Sequence, residues 1–176
     1  MFGNAYQNGP YLEVWDARVD PSKNNFYKQL AKPLPHSTRA FDKEVKSYLQ
    51  TIHGQAAKLM IPADDTKSLS LHQRYLVLQV FIPVGFQWWV ELGMSDLSGL
   101  KRRINLTTVQ GKQEGKYFSY RYPLEVTKGS WLFLGIDIYS FMEAFKGQTF
   151  RALDHIVVGS TCRIRRVFTM KDFLEY

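Results

Sequence analysis

The sequence predicts one domain built mainly of β-strands, folded as a sandwich or a barrel. Aromatic residues are abundant, with 12 Phe, 10 Tyr and 4 Trp in 176 residues, and aromatic and β-branched side chains pack well on a pleated sheet. Short apolar segments recur between turn residues, a pattern typical of these folds. The length fits a single domain whose core needs no disulfide or metal to stabilise it. We therefore expect residues 1–176 to form one domain.

The first part of the chain supplies four strand candidates. They are Tyr11–Ala17, Phe26–Leu30, Phe41–His53 and Ala57–Ile61. Phe26–Leu30 is a weaker candidate than the others. Pro21, Pro33 and Pro35 mark turns and loops, and the polar stretch Pro62–Asp65 closes this part of the chain.

The middle of the chain carries three clearer strand patterns. Arg74–Pro83 is apolar at nearly every position, which indicates a strand covered on both faces. Gln87–Asp96 and Leu100–Thr108 follow, separated by turn residues. Side chains alternate along a strand, so each segment has two faces. In the first, one face carries Trp88, Val90, Leu92 and Met94, and the other Trp89, Glu91 and Gly93. In the second, one face carries Leu100, Ile104 and Leu106, and the other Lys101, Arg103, Asn105 and Thr107.

Four strands and one helix complete the prediction. The strands are Lys116–Pro123, Trp131–Ile138, Leu153–Gly159 and Cys162–Met170. The helix is expected near residues 140–146, because Ser140 followed by Glu143 is a capping-box pattern. Phe141 and Phe145 share a face at a spacing of four residues, and Gly147 is placed to end the helix.

Charge and cysteine content restrict the class of protein. The chain has 23 Lys and Arg against 16 Asp and Glu, a net charge of +7, which favours an acidic partner. A single cysteine, Cys162, excludes an intrachain disulfide and fits a reducing compartment. The first residues lack a signal-peptide pattern, and the longest apolar run, within Tyr75–Gly85, is too short to span a bilayer. We expect a cytosolic or cytoskeletal protein without a membrane partner.

The sequence shows no catalytic constellation. The four histidines are scattered and match no metal-ligand spacing; they are His36, His53, His72 and His155. Cys162 would need a neighbouring base such as His155 to act as a nucleophile. It shares a strand face with Ile164, however, and is expected in the core, where a free cysteine behaves as a small apolar residue. We predict no enzyme activity, no metal and no cofactor.

Two basic clusters are candidate partner-binding sites. They are Lys101, Arg102 and Arg103, and Arg163, Arg165 and Arg166. One interpretation is a solvated outer sheet face. The other is a footprint for an acidic surface, since the planar arginine fork suits carboxylates and phosphates. Whether the two clusters meet in space does not follow from the sequence.

The Trp88-Trp89 pair adds a third candidate. Alternation sends the two indoles to opposite faces, so one is expected in the core. The other, Trp89, is a candidate platform for a partner, a base or a sugar. The alternative is that both rings are packed under neighbouring loops.

Five blocks of the sequence resemble the cilia- and flagella-associated protein 20 domain family. They are M-F-x-N-x-Y-Q-x-G at Met1–Gly9, F-D-K-E-V-K-S at Phe41–Ser47, R-Y-L-V-L-Q-V at Arg74–Val80, K-R-R at Lys101–Arg103 and C-R-I-R-R-V-F at Cys162–Phe168. The blocks run nearly end to end, and the last is the most specific. The chain looks closer to the family's longer domain-containing relative than to its founding member.

The resemblance implies a jelly-roll-like antiparallel β-sandwich without catalysis. It also implies a structural part of the axoneme or basal body of cilia and flagella. The partners implied are tubulin of the doublet microtubule and neighbouring junction proteins. Tubulin is strongly acidic, so the net charge of +7 agrees with that partner.

Two further functions remain open from the residues alone. A basic surplus with many aromatics permits a nucleic-acid-binding β domain, although no RNA-binding aromatic motif or recognition helix is present. A carbohydrate-binding module is suggested by fold analogy and by Trp88-Trp89, and analogy of fold is a weak argument for function.

Overall fold

The computed structural model describes residues 1–35, 37–146 and 148–173, which form a sandwich of a six-stranded and a seven-stranded sheet. The predicted fold class is confirmed. The strands are β1 Tyr11–Asp16, β2 Lys32–Leu34, β3 Ser37–Asp42, β4 Ser47–Ile52, β5 Lys58–Ile61, β6 Tyr75–Phe81, β7 Trp88–Asp96, β8 Lys101–Thr107, β9 Glu114–Lys116, β10 Ser119–Pro123, β11 Trp131–Asp137, β12 Phe150–Ser160 and β13 Cys162–Met170. The helices are α1 Asn25–Leu30 and α2 Ile138–Met142.

The two sheets differ in how their strands are ordered. The six-stranded sheet has the order β11-β6-β13-β4-β3, and β1 pairs with the last part of β13. The seven-stranded sheet has the order β2-β5-β12-β7-β8-β10-β9. Among the described strands every pairing is antiparallel except that of β8 with β10. This parallel pair decides which side chains surround the outer face of β8.

The core lies between the two sheets, where the predicted alternation is confirmed. Trp88, Val90, Leu92 and Met94 of β7 are at most 1% exposed. Strand β6 is buried at every position except its two ends, as its continuous apolar run predicted. These side chains account for most of the hydrophobic stabilisation of a fold of this kind.

The segment Phe26–Leu30 is a correction, because it forms the short helix α1 and not a strand. The side chain of Asn24 accepts a hydrogen bond from the amide of Tyr27 at 3.2 Å and so caps the helix. An asparagine at this position is a strong start signal for a helix. Leu30 is fully buried, which ties the helix to the core.

The segment predicted as one strand at Phe41–His53 is a hairpin of β3 and β4. The carboxylate of Asp42 accepts hydrogen bonds from the amides of Glu44 and Val45, which turns the chain. Lys46 completes the turn with a φ of 53°.

Helix α2 begins earlier than the capping-box pattern predicted. Asp137 is its N-cap and accepts a hydrogen bond from the amide of Ser140. Phe141 and Phe145 do lie on one side, where their rings contact Tyr122 and Tyr120 respectively. The predicted stop at Gly147 lies outside the described residues. Within the described part of the chain, neither helix has the length and apolar character needed to cross a bilayer.

Candidate functional site

The two basic clusters lie on different sheets and do not form one surface. Lys101–Arg103 belong to β8 of the seven-stranded sheet, whereas Arg163–Arg166 belong to β13 of the six-stranded sheet. The core separates the two strands. An acidic surface that contacts the outer face of one sheet therefore does not contact the cluster on the other sheet.

Arg102 is a correction, because it points into the protein and not toward a partner. It is 7% exposed, and its Nη2 lies 3.2 Å from the Oδ2 of Asp96, which is fully buried. The guanidinium lies between the rings of Phe118 and Phe145, at 4.9 and 5.3 Å. Arg102 shares its strand face with Ile104 and Leu106, so alternation places it inside.

The arginines of β13 are largely neutralised within the chain. The Nη1 of Arg163 lies 3.3 Å from the Oδ2 of Asp42, and its guanidinium covers the ring of Phe81 at 4.1 Å. Arg166 donates to both carboxylate oxygens of Glu13, and this raises the pKa of Arg166.

Arg165 lies at the bulge in β13, between Ile164 and Arg166, and is half-buried. Its Nε has no hydrogen-bond partner among the described residues. Two of the three arginines of the second cluster, Arg163 and Arg166, are therefore committed to ion pairs within the chain.

Four cations instead converge on one corner of the seven-stranded sheet, which we call the basic corner: Lys101, Arg103, Lys116 and Arg121. Strand pairing sets Arg103 beside Ser119 and Ser119 beside Lys116. Arg121 lies one row further along the same face, between Asn105 and the exposed Glu114. Cross-strand neighbours share a face of the sheet, so the four side chains leave the same outer surface.

The members of the basic corner differ in how far they are neutralised. Lys101 and Lys116 are exposed and make no ion pair within the described residues. Arg103 is 63% exposed and lies 3.5 Å from Glu91, a distance and exposure that give little stabilisation. Arg121 is half-buried and donates to the carbonyl of Val109.

Lys116 and Arg121 were absent from the sequence prediction. Alternation along Lys116–Pro123 assigns each of the two residues to a face of its strand. It does not identify which strand lies beside them. The neighbour follows from the parallel pairing of β10 with β8. No local pattern signals such a pairing, because it depends on residues far apart in the chain.

Trp89 lies on the same outer face as the basic corner, in a groove of about 640 Å³. Its indole packs against Gly159 of β12, where an added Cβ would stand 2.4 Å from a ring carbon. Gly159 thus provides the space for the ring. Trp89 is half-buried and Trp88 fully buried, which agrees with the expectation that only one of the two rings lies in the core.

The rest of the groove carries both charges. Lys58, Glu91 and Asp154 line it, and β8 forms the wall toward the basic corner. His155 also lines it, and its Nε2 lies 3.0 Å from the carbonyl of Asp65. The groove is therefore mixed in charge, while the basic corner at its end is cationic.

Cys162 is not available as a nucleophile. It is 1% exposed, and burial raises the pKa of its thiol to about 12, so the reactive thiolate is not formed near neutral pH. In the ranges that the structure describes, no three His, Cys, Asp or Glu side chains come together in a way that could hold a metal ion.

Three comparisons place the chain among known proteins. A family model described as the CFA20 domain matches residues 1–175. Cilia- and flagella-associated protein 20 from Caenorhabditis briggsae and from Caenorhabditis elegans are each 24% identical over 181 residues, which covers 96% of this chain and 82% of theirs. The solved structure described as "Structure of PfGH50B" has a chain that aligns at 8% identity with a TM-score of 0.36. That alignment covers 82% of this chain but 22% of the other.

The sequence blocks at Met1–Gly9 and Cys162–Phe168, which first indicated a relationship, lie near the two ends of the region that the family model matches. The predicted resemblance is confirmed. Because the match extends over residues 1–175, this chain belongs to the CFA20 domain family.

Proposed function

We propose that this CFA20 domain is a non-catalytic structural module of the axoneme or basal body, which docks on acidic tubulin surfaces and on neighbouring junction proteins. Membership of the family and the names of the two worm relatives support an association with cilia and flagella. The docking itself rests on one observation, the convergence of four cations on the basic corner.

The basic corner suits an acidic partner in both geometry and charge. Its strands form part of a continuous sheet, so the cations are held at fixed spacing. Exposed ion pairs contribute about 1 kcal/mol or less each, whereas pairs that lose their water on docking are worth a few kcal/mol. Several cations acting together also accelerate the encounter with an acidic surface, and salt weakens this effect.

The test is co-sedimentation with polymerised tubulin, comparing the unmodified protein with the double charge reversal Lys101→Glu and Arg103→Glu. Both side chains are exposed, so we expect the fold to persist and binding to fall at low salt. The matched control is Lys23→Glu and Lys43→Glu. These two residues are also exposed, change the net charge equally and lie outside the basic corner.

The same assay with tubulin from which the acidic tails have been removed locates the contact. Weaker binding assigns the basic corner to the tails, and unchanged binding moves the contact to the tubule wall. Duplex DNA is titrated in parallel, since a cationic surface attracts any polyanion. Equal loss of binding in the two double variants would contradict a specific role of the basic corner.

A carbohydrate ligand is the second candidate, favoured by the ring of Trp89 in its groove. A half-buried indole in a groove can offer part of its surface to a planar or apolar ligand. Screening on a glycan array, repeated with Trp89→Ala, tests this candidate. An array without hits would rule it out for the glycans present.

A further inference from the structure

Strand β11 is an unusually open edge of the six-stranded sheet. Among the described strands it pairs with β6 alone, in a regular register from Trp131 to Asp137. Its sequence Trp-Leu-Phe-Leu-Gly-Ile-Asp has no proline, no lysine and no charge before its last residue. A long, regular, apolar edge is a template for pairing with another strand.

The other edges of the two sheets carry features that oppose pairing. Strands β2 and β9 have three residues each. Strand β2 includes Lys and Pro, and strand β9 includes Glu and Lys. Strand β1 contains Glu13 and an irregularity between Glu13 and Trp15. Strand β3 contains Arg39, whose guanidinium donates to the carbonyls of Ala17 and Arg18. Short length, charge and bulges are the usual protections of an edge, and β11 shows none of them before its last residue, Asp137.

The backbone of β11 is accessible on its outer side. The amide of Ile138 donates to the carbonyl of Arg74, so Ile138 is hydrogen-bonded toward β6. Along an antiparallel pair, every second residue is bonded to the neighbouring strand, and the residues between them point to the other side. The amides and carbonyls of Trp131, Phe133 and Gly135 therefore point away from β6. No hydrogen bond from any described residue reaches these groups. Gly135 is exposed. Because glycine has no side chain, it is the backbone of this residue that is exposed.

The side chains around this edge form an exposed aromatic surface. Phe133 is 65% exposed, and the rings of Trp131 and Phe81 lie 5.8 Å apart beside it. The ring of Phe173 lies over Gly135, where an added Cβ would stand 2.4 Å away. Aromatic residues are enriched where proteins bind one another.

We propose that β11 pairs with β11 of a second copy of this chain, antiparallel and centred on Phe133. In that register Trp131 of each copy lies beside the Phe173 ring that covers Gly135 of the other, so that aromatic rings of the two copies meet on one face of the joined sheet. The one charged residue of β11, Asp137, is already paired with Arg74 of its own chain. A parallel arrangement would instead place the same ends of the two β11 strands, each with its Asp137, side by side. The result is a twofold interface in which the same surface serves both copies.

Sedimentation velocity over a range of protein concentrations tests this dimer. We expect a concentration-dependent shift from monomer to dimer in the unmodified chain. Phe133→Lys would set two lysines opposite each other, and we expect it to weaken dimerisation about tenfold or more, because like charges directly opposite repel. The matched control is Phe41→Lys, since Phe41 is 53% exposed and lies on β3, at the far edge of the same sheet. It should leave dimerisation unchanged.

Amide hydrogen exchange of the unmodified chain gives a second measurement that needs no substitution. Exchange at Phe133 and Gly135 should slow as protein concentration rises, because their outward amides become bonded. A chain that stays monomeric while soluble would overturn the proposal. So would a dimer that Phe133→Lys leaves intact, or one formed without slower exchange in β11.

Discussion

Arg102 and Arg103 are neighbours in sequence but have opposite environments. Arg102 is 7% exposed and paired with the buried Asp96, whereas Arg103 is 63% exposed and only loosely paired with Glu91. Breaking a buried ion pair leaves an uncompensated charge in the interior. The loss of an exposed pair leaves both groups in water.

We therefore predict that Arg102→Ala lowers the free energy of unfolding by about 3–5 kcal/mol. Arg103→Ala, the matched control one residue along, should lower it by about 1 kcal/mol or less. Urea unfolding followed by tryptophan fluorescence measures both values. Similar losses in the two variants would contradict the assignment of Arg102 to the interior.

The position of Arg102 could have been predicted from the sequence. It has the same parity as Ile104 and Leu106, which were assigned to a face opposite Lys101 and Arg103. Grouping the three basic residues as one cluster hid this signal. By contrast, the pairing of Arg163 with Asp42 and of Arg166 with Glu13 joins distant segments, and no local pattern shows which acid meets which base.

Helix α2 shows how a single residue sets the boundary of an element. Asp137 accepts from the amide and the hydroxyl of Ser140 and from the guanidinium of Arg74. These hydrogen bonds, that from Arg74 above all, lower the pKa of Asp137 from its usual 3.8. The carboxylate therefore stabilises the fold above the unfolded-state pKa, and this contribution is lost as pH falls through the folded-state pKa.

We predict that Asp137→Ala costs about 1 kcal/mol of stability near neutral pH, the typical loss for an N-cap. The difference from the unmodified chain should shrink below about pH 4, where the carboxylate becomes protonated in the unfolded chain. Ser140→Ala, at the residue that the sequence pattern took as the cap, should cost less. Thermal unfolding at several pH values checks the trend, and a larger loss for Ser140→Ala would restore Ser140 as the cap.

Elements with strong local signals were predicted well, and those that depend on distant pairing were not. Cys162–Met170 was predicted with the bounds that β13 has, because alternation and β-branched residues define it locally. The parallel pairing of β8 with β10 was not foreseen, since it depends on how the chain returns after the loop between them. The basic corner depends on that pairing, so half of its members were missed.

At the scale of the whole molecule, one continuous core joins the two sheets. Buried side chains from both sheets, among them Trp88 of β7 and Cys162 of β13, belong to the same cluster. A single core predicts that the chain unfolds in one cooperative step. This is the expectation of one domain over residues 1–176 stated in terms of stability.

The measurement is urea unfolding followed in parallel by far-ultraviolet circular dichroism, tryptophan fluorescence and thiol labelling of Cys162. We expect the three transitions to coincide, because a thiol 1% exposed becomes reactive only when the core opens. Two separated transitions would show that the sheets are independent units. Early labelling of Cys162 alone would indicate local opening around β13.

The pairing of β1 with β13 joins residues from opposite ends of the fold, such as Tyr11 and Met170. On a ribosome, β1 emerges long before β13, the strand that it pairs with in the described structure, so it must wait until residue 170 has been synthesised. Contacts of such large sequence separation form slowly. Aromatic strands that wait unpaired are exposed to aggregation. A cell making this protein in quantity should therefore depend on chaperones that hold the nascent chain until β13 arrives.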